Sequence, residues 1–317
     1  MTDMQDEVFK TPVNKIRLFE HGAPGSQNLK LTRKYYTEDM PDGRVKHIVQ
    51  NITDPDIIPY IPDGIGNSTD RQRIPAVLII PGGAFRRLVY NFEGEDVAKW
   101  LNSMGIAAFV LECRLPSDEH DNAEDVPLID AMRAMRVIRG RAQEFGIDEA
   151  KIGVMGFSAG GFIAALLSTA YESDVYADYK YKDEYDELSA RPDFAVCSYP
   201  VISIDDCIEA GKRYMSEEQV LERISDSKAK ILHKYNPDKL VRLDMPPVFI
   251  CETDDDRTTL SENSVGFYMA ARKAGVSAEL HIFRTGGHGY GCGDDSAQTG
   301  EWKVLFTKWI KSIGIIS

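Results

Sequence analysis

The chain of 317 residues has few cysteines, no long hydrophobic run and no excess of positive charge. Its five cysteines are odd in number and widely scattered, which argues against a disulfide framework or a zinc ribbon and predicts free thiols. Lysine and arginine number 37 against 50 aspartate and glutamate, a formal net charge of −13. Because such an acidic chain would repel a phosphate backbone, nucleic acid is not an expected partner.

No apolar run approaches the ~18 residues that a membrane-spanning helix needs, so no membrane partner is expected. Residues 1–7 are acidic where a secretory signal peptide would be basic and then apolar. We therefore expect a cytoplasmic protein. With 43% hydrophobic residues, the chain can form one catalytic-size domain or two small ones, and a homo-oligomer is left open.

Short apolar runs alternate with longer amphipathic ones from residue 75 onward. The short runs are rich in β-branched or aromatic residues and nearly continuous, as is typical of strands buried on both faces. They span residues 75–80, 106–111, 151–155, 194–199, 247–251 and 278–283. Helical periodicity is predicted at about residues 94–104, 128–145, 159–171, 261–274 and 301–313. This alternation predicts the α/β class, with a mostly parallel central sheet and helices on both faces.

Three stretches interrupt the alternation. Residues 1–74 contain one predicted strand at 45–52 and are otherwise punctuated by proline and glycine, so we expect antiparallel edge strands leading into the sheet. Residues 171–187 carry five tyrosines, and residues 201–245 have a helical pattern. Both are expected to be cap insertions over the strand ends.

The segment 156–161, with the sequence GFSAGG, matches the pattern Gly-x-Ser-x-Gly around Ser158. A predicted strand runs straight into it and a predicted helix runs straight out. That context predicts a nucleophile elbow, in which the glycines are needed because side chains would clash in the strained turn that holds the serine. The alternative is a serine that caps an ordinary helix.

The segment 81–85, PGGAF, follows the predicted strand 75–80. Acyl transfer passes through a tetrahedral oxyanion, which needs several backbone N–H groups aimed at one point, and small residues allow that approach. We expect the amides of Gly83, Ala84 and Ala159 to form this oxyanion hole. An ordinary glycine-rich turn is the alternative, and a nucleotide-binding loop is disfavoured because neither Gly-x-Gly-x-x-Gly nor a Walker lysine is present.

A serine nucleophile needs a base, and the base needs a carboxylate to fix its tautomer. Among the six histidines, only His288 lies in a glycine-rich turn directly after a predicted strand. The preceding predicted strand, 247–251, leads into the string TDDD at 253–256. The resulting order of serine, aspartate and histidine is that of α/β-hydrolases. The string leaves three candidates for the acid, which are Asp254, Asp255 and Asp256.

Several further short motifs are distributed along the chain. They are PGG at 81–83, EGE at 93–95, GVMGFSAGG at 153–161, RPD at 191–193, YPV at 199–201, ENS at 262–264 and ELHI at 279–282. With these motifs the chain, over about residues 15–313, resembles bacterial α/β-hydrolase esterases related to acetylxylan esterases and prolyl-oligopeptidase-like hydrolases. In that family the catalytic acid is the first aspartate of a Thr-Ala-Asp-Asp string. The resemblance thus implies Asp255 as the acid, with Asp254 in the usual alanine position.

The resemblance implies an α/β-hydrolase fold and a serine ester hydrolase that removes short acyl groups, acetyl in particular, from a carbohydrate such as a xylo-oligosaccharide. Ser158, Asp255 and His288 would form the triad and act through an acyl-enzyme. Because the triad draws on most of the chain, residues 1–317 are expected to form one domain. The alternatives are a peptidase acting on short peptides and a catalytically silent scaffold.

Small-molecule esters or acetylated oligosaccharides are thus the expected partners. No metal or organic cofactor is expected, because the chemistry is complete without one and the triple aspartate lacks the spacing of a calcium loop. Three departures from the family, Ala84, Cys113 and Phe162, suggest an altered pocket wall. Part of the acidic excess lies in residues 171–187, which we expect to favour neutral substrates near the mouth of the site.

Overall fold

The computed structural model describes residue 9 and residues 14–64, 73–213, 215–216, 218–220 and 227–317. Residues 1–7, on which the expected absence of a signal peptide rests, lie outside this part. So do residues 65–72 of the N-terminal stretch, and residues 214, 217 and 221–226 of the expected 201–245 cap.

The strands of the described residues are β1 (Ile16–Arg17), β2 (Lys34–Asp39), β3 (Val45–Gln50), β4 (Asp56–Tyr60), β5 (Ile74–Ile80), β6 (Leu88–Val89), β7 (Ala107–Glu112), β8 (Ile147–Phe157), β9 (Ala195–Ser198), β10 (Val248–Thr253) and β11 (Ala278–Phe283). The α-helices are α1 (Asp96–Ser103), α2 (Val126–Gly140), α3 (Ala142–Phe145), α4 (Ala159–Ala170), α5 (Ile204–Lys212), α6 (Ser227–Lys234), α7 (Ser261–Lys273) and α8 (Trp302–Ser312).

Eight strands form the central sheet in the order β1-β4-β7-β5-β8-β9-β10-β11. The strands from β7 to β11 in this order pair in parallel, whereas β4 is antiparallel to both of its neighbours, β1 and β7. All six strands predicted after residue 75 are present. Every residue of β7, β9 and β10 is buried, which explains why these runs lack alternation between apolar and polar residues. The predicted α/β class with a mostly parallel sheet is confirmed.

The helices cover both faces of this sheet. The crossover from β5 through α1 to β7 moves in one direction along the sheet, and the crossovers through α2 and α4 move in the other. Right-handed crossovers therefore place α1 on the face opposite α2 and α4. The C-terminal helix α8 packs on α1, with the rings of Trp100 and Trp302 4.9 Å apart.

The helix predicted at 128–145 is not continuous. It is divided into α2 and α3 at Arg141, whose φ of −100° and ψ of 17° depart from helical values. The residue before it is Gly140, and glycine is a poor helix former. Within the part of the chain that the structure describes, no helix combines the length and the apolar character needed to cross a bilayer.

The strand predicted at 45–52 is present as β3, but it does not lie at the edge of the central sheet. It belongs to a separate antiparallel sheet of order β2-β3-β6. The turn between β2 and β3 closes with a 2.7 Å hydrogen bond from the amide of Met40 to the carbonyl of Arg44. Because β6 directly follows the loop after β5, its pairing with β3 brings this hairpin beside that loop.

The tyrosine-rich segment 171–187 does not form the cap that the sequence suggested. It is held along α2, where Arg133 donates a 2.7 Å hydrogen bond to Asp183 and lies 3.1 Å from Asp186. At the far end of that helix, a Cβ on Gly140 would lie 2.3 Å from the ring of Tyr185. Arginines on the outer side of α2 therefore attract the acidic segment, and it contributes no residue to the cleft described below.

The stretch 201–245 is helical, as expected, where the structure describes it, with α5 and α6 as its longer helices. Helix α6 packs on the turn Pro116–Asp118, which follows β7 at the carboxyl end of that strand. None of its described residues lines the cleft around Ser158.

Candidate active site

Ser158 lies at the sharp turn between β8 and α4, with φ 52° and ψ −119°. Positive φ is unfavourable for a residue with a side chain, so the surrounding packing must hold this conformation. The predicted need for glycine on either side of it is confirmed. A Cβ on Gly156 would lie 2.1 Å from the carbonyl oxygen of Gly160, and one on Gly160 would lie 2.0 Å from that of Ile80.

A continuous chain of contacts joins Ser158, His288 and Asp256. His288 Nε2 lies 2.8 Å from Ser158 Oγ, and His288 Nδ1 lies 2.6 Å from Asp256 Oδ2. The three residues follow β8, β10 and β11, which are parallel in this part of the sheet, so their side chains meet at its carboxyl edge. With a proton on Nδ1, the imidazole donates to Asp256 and leaves Nε2 free to accept the serine proton.

Asp255, the acid expected from the family resemblance, does not contact His288, and Asp256 takes that position instead. Asp255 is exposed, and its Oδ1 accepts hydrogen bonds from the amides of Gly286 and Gly287 at 2.9 and 2.8 Å. It supports the loop that carries His288 without contacting the ring. Asp254 is also exposed.

The turn after β10 explains this shift by one residue. Oδ1 of Asp256 accepts hydrogen bonds from the amides of Thr258 and Thr259 at 2.7 and 3.0 Å, a local turn that directs the carboxylate inward. Burial of this carboxyl group opposes its ionisation, but hydrogen bonds and the charge of His288 outweigh that effect and lower the pKa of Asp256. The pattern Asp-x-Thr-Thr was the available sequence indication, and it was missed.

The loop after β5 approaches the serine closely. A Cβ on Gly82 would lie 2.9 Å from Cβ of Ser158. Gly83 has φ +140°, and Ala84 has φ +58°, so the loop is in a conformation that favours small residues. Gly83 and Ala84 line the cleft beside Ser158. Among the described residues, the amides of Gly83, Ala84 and Ala159 donate to no protein acceptor.

The cleft at Ser158 and His288 has a volume of about 650 Å³. One wall comes from the β2–β3 hairpin through Met40, Asp42, Arg44 and Lys46. Of the antiparallel edge strands expected in residues 1–74, β1 and β4 lie at the edge of the central sheet, whereas the β2–β3 hairpin forms this wall of the cleft.

The ionisable side chains of the cleft wall, other than His288, balance in charge. Its cations are Arg44, Lys46 and Arg87, and its carboxylates are Asp42, Glu93 and Asp294. The acidic segment 171–187, which we expected to favour neutral substrates near the mouth, lies along α2 and does not line this cleft. Among the described residues, no group of three or more histidines, cysteines or carboxylates is arranged to hold a metal ion.

Two further residues of the site were not singled out from the sequence. Glu93 is buried and lines the cleft, and Tyr199 is fully buried with its ring 5.1 Å from that of His288. Both fall within short motifs shared with the family, EGE and YPV. Their contact with one another is not indicated by any sequence pattern.

Comparison with known proteins gives a consistent result. A family model described as BD-FAE matches residues 65–270. An acetylxylan esterase from Xylanibacter ruminicola is 30% identical over 240 residues, which are 75% of this chain and 45% of that protein. Endo-1,4-beta-xylanase B from Butyrivibrio fibrisolvens is 31% identical over 232 residues, which are 73% of this chain and 35% of that protein. The chain thus spans less than half the length of these curated relatives.

Solved structures are similar over most of the chain. An acetyl ester-xyloside bifunctional hydrolase from Caldicellulosiruptor lactoaceticus superimposes with a TM-score of 0.68 at 37% identity, covering 84% of this chain and 91% of that one. A propionate-bound esterase from Thermogutta terrifontis gives a TM-score of 0.64 at 23% identity, covering 93% and 96%. Together with the sheet described above, these similarities confirm the expected α/β-hydrolase fold.

Proposed function

This chain belongs to the BD-FAE family, and from that premise we propose that it is a serine esterase that removes acetyl groups from a carbohydrate such as a xylo-oligosaccharide. The observation that carries the proposal is the chain of contacts from Ser158 Oγ through His288 to Asp256, at 2.8 and 2.6 Å. The names of relatives that act on acetylated xylosides or xylan support the substrate class.

In the proposed acylation step, Ser158 Oγ attacks the ester carbonyl while His288 Nε2 takes the hydroxyl proton. Asp256 holds the imidazole in the required tautomer and stabilises the imidazolium that forms. The amides of Gly83, Ala84 and Ala159 donate to the oxyanion that develops on the carbonyl oxygen. His288 then gives its proton to the departing sugar hydroxyl, which leaves an acetyl-serine.

In the second step, His288 takes a proton from a water molecule, and the resulting hydroxide equivalent attacks the acetyl carbonyl. The same amides stabilise the second oxyanion. Its collapse breaks the bond to Ser158 Oγ, returns the proton from His288 to the serine and releases acetate. In each step the same histidine acts first as a general base and then as a general acid.

The wall of the cleft favours a neutral, hydroxyl-rich substrate. Its cations and carboxylates balance, so the wall has no net charge that would attract a charged substrate in preference to a neutral one. Guanidinium, ammonium and carboxylate groups are donors or acceptors that suit sugar hydroxyls. Phe92 adds an aromatic face, with the Arg44 guanidinium 5.1 Å from its ring centroid.

The proposal treats residues 1–317 as one catalytic unit. The proposed triad draws on strands β8, β10 and β11, while the N-terminal hairpin supplies a wall of the same cleft. Removing the hairpin would therefore open the cleft, even though the triad residues all lie after residue 157.

A substrate series tests the proposal. Aryl esters of increasing acyl length are compared with acetylated xylo-oligosaccharides and with aminoacyl arylamides, using the wild-type protein and Ser158→Ala. We expect the highest kcat/KM on acetyl esters, acetate release from the oligosaccharides, and no turnover by Ser158→Ala. Faster cleavage of the arylamides would instead favour a peptidase. No turnover of any ester by the folded wild-type protein would indicate a silent scaffold.

A further inference from the structure

We propose that Glu93 is a positioning residue that ties the oxyanion loop to the loop that carries His288. The oxyanion loop comprises residues 82–84, and the histidine loop comprises residues 286–291. The proposal rests on the esterase function proposed above. It assigns to Glu93 no contact with the reacting atoms.

Each carboxylate oxygen of Glu93 serves one of the two loops. Oε2 accepts a 2.8 Å hydrogen bond from the amide of Gly82, the residue next to the expected oxyanion donor Gly83. Oε1 accepts a 3.0 Å hydrogen bond from the hydroxyl of Tyr199. Glu93 is only 4% exposed, so these two contacts are shielded from competing water.

Tyr199 extends the connection to the histidine loop. Its hydroxyl oxygen accepts a 2.9 Å hydrogen bond from the amide of Gly291, three residues after His288. Its ring also packs edge-on against the rings of His288 and Tyr290, with centroids 5.1 and 4.5 Å away. A single unbroken path thus runs from Gly82 through Glu93 and Tyr199 to Gly291.

These hydrogen bonds fit an ionised Glu93 and a neutral Tyr199. Both oxygens of Glu93 accept, so a protonated carboxyl group would leave its proton without an acceptor among the described contacts. Burial raises the pKa of Glu93, and the charge of His288 and these two hydrogen bonds oppose that rise. Burial and the neighbouring carboxylate raise the pKa of Tyr199 well above its usual value, so its hydroxyl keeps the donated proton.

The tie matters because the oxyanion donors and the base must act on one substrate at once. The oxyanion loop follows β5 and the histidine loop follows β11, and three strands lie between them in the sheet. Small displacements between catalytic groups reduce the rate far more than they reduce binding. A buried carboxylate that accepts hydrogen bonds from both sides fixes the distance between the oxyanion loop and the histidine loop.

Two variants and a matched control test the proposal on an aryl acetate. Glu93→Gln leaves a single acceptor oxygen for two donors, and Tyr199→Phe removes the hydroxyl that joins Glu93 to Gly291. We expect each to lower kcat by about 10- to 100-fold with KM changed less than about threefold. The kcat of the double variant should be only slightly lower than that of the more impaired single variant, because both substitutions break the same path. Glu95→Gln, two residues away in the same helical turn and paired with Lys99 at 2.7 Å, should keep kcat within about twofold.

Amide hydrogen exchange provides a readout that does not depend on activity. Peptides that contain Gly82 should exchange faster in Glu93→Gln, and peptides that contain Gly291 should exchange faster in Tyr199→Phe, while Glu95→Gln matches the wild type. Unchanged exchange and unchanged kcat in folded Glu93→Gln would overturn the proposal. If Glu93→Gln does not fold, the same two measurements on Tyr199→Phe decide it. A wild-type protein without esterase activity would refute the proposed function, and the exchange rates would still test the tie.

Discussion

Oδ2 of Asp256 lies 2.6 Å from Nδ1 of His288, and Oδ1 of the same carboxylate accepts hydrogen bonds from two backbone amides. Asp256 is 1% exposed. Both oxygens therefore have fixed partners, and the imidazole ring is held with Nε2 toward Ser158. This relationship determines which of three consecutive aspartates supports the base.

Replacing Asp256 by asparagine should lower kcat on an aryl acetate by about 10⁴-fold, because an amide cannot stabilise the imidazolium and favours the wrong tautomer. Asp255→Asn is the matched control. Its remaining oxygen can still accept from the amides of Gly286 and Gly287, so we expect a loss of less than about tenfold. A larger loss in Asp255→Asn than in Asp256→Asn would assign the acid to Asp255.

Replacing Gly160 by alanine should destabilise the fold by about 2 kcal/mol or more, because the new Cβ would lie 2.0 Å from the carbonyl oxygen of Ile80. Gly266→Ala is the control. It also lies within a helix, and the nearest atom to its new Cβ is 3.9 Å away. We expect that change to be neutral or stabilising by up to about 1 kcal/mol. Chemical denaturation measures the free energy of unfolding of both variants. Equal values for Gly160→Ala and Gly266→Ala would show that the elbow has room for a side chain.

Lys46 should contribute to binding of the sugar and not to the chemical step. It lines the cleft from the β2–β3 hairpin, so Lys46→Ala removes one donor to a substrate hydroxyl. We expect KM for an acetylated xylo-oligosaccharide to rise about fivefold, equivalent to ~1 kcal/mol, with little change on a small aryl acetate. Lys34→Ala, an exposed change on β2 outside the cleft, controls for loss of charge. Equal effects on both substrates would refute a sugar-binding role.

Stability should fall as the pH drops from about 6.5 to about 4, in part because of His120. This ring is buried with Nδ1 3.0 Å from Ser26 Oγ, and burial together with the charge of Arg114 lowers its pKa from 6.5 to about 4. The unfolded chain thus binds a proton in this range that the folded protein does not. The stabilisation is fully present above pH 6.5 and decreases toward pH 4, by on the order of 2 kcal/mol.

The variant His120→Asn should flatten that part of the stability profile, as measured by denaturant unfolding at a series of pH values. Other groups also titrate in this range, so the comparison is between the slopes of the two proteins. His233→Asn, at an exposed position of α6, serves as the control for loss of a histidine. A slope unchanged by His120→Asn would show that His120 does not titrate differently on folding.

The six strands of the central sheet from β5 onward and the positions of Ser158 and His288 could be predicted because each depends on local pattern. A buried parallel strand is continuously apolar, and an elbow needs small residues on both sides of the serine. The choice of Asp256 could not be made in the same way, since three adjacent carboxylates are equivalent until the turn after β10 points one of them inward. The path from Glu93 to Tyr199 joins residues 106 positions apart, and no local pattern encodes such a contact.

The wall of the cleft was also beyond sequence reasoning. Whether β3 extends the central sheet or forms its own depends on its pairing with β6, a strand of two residues with little pattern of its own. The segment 171–187 was assigned to the site from composition alone. Its position instead follows from arginines on α2, more than 40 residues earlier in the chain.

The central claim is that Ser158 is the nucleophile of an esterase, and covalent labelling tests it most directly. The wild-type protein and Ser158→Ala are treated with a fluorophosphonate, hydrolysis of an aryl acetate is followed during the reaction, and the adduct is mapped by peptide mass spectrometry. We predict one adduct at Ser158, loss of activity in proportion to labelling, and no adduct in Ser158→Ala. An unlabelled wild-type protein, or a label retained in Ser158→Ala, would contradict the account.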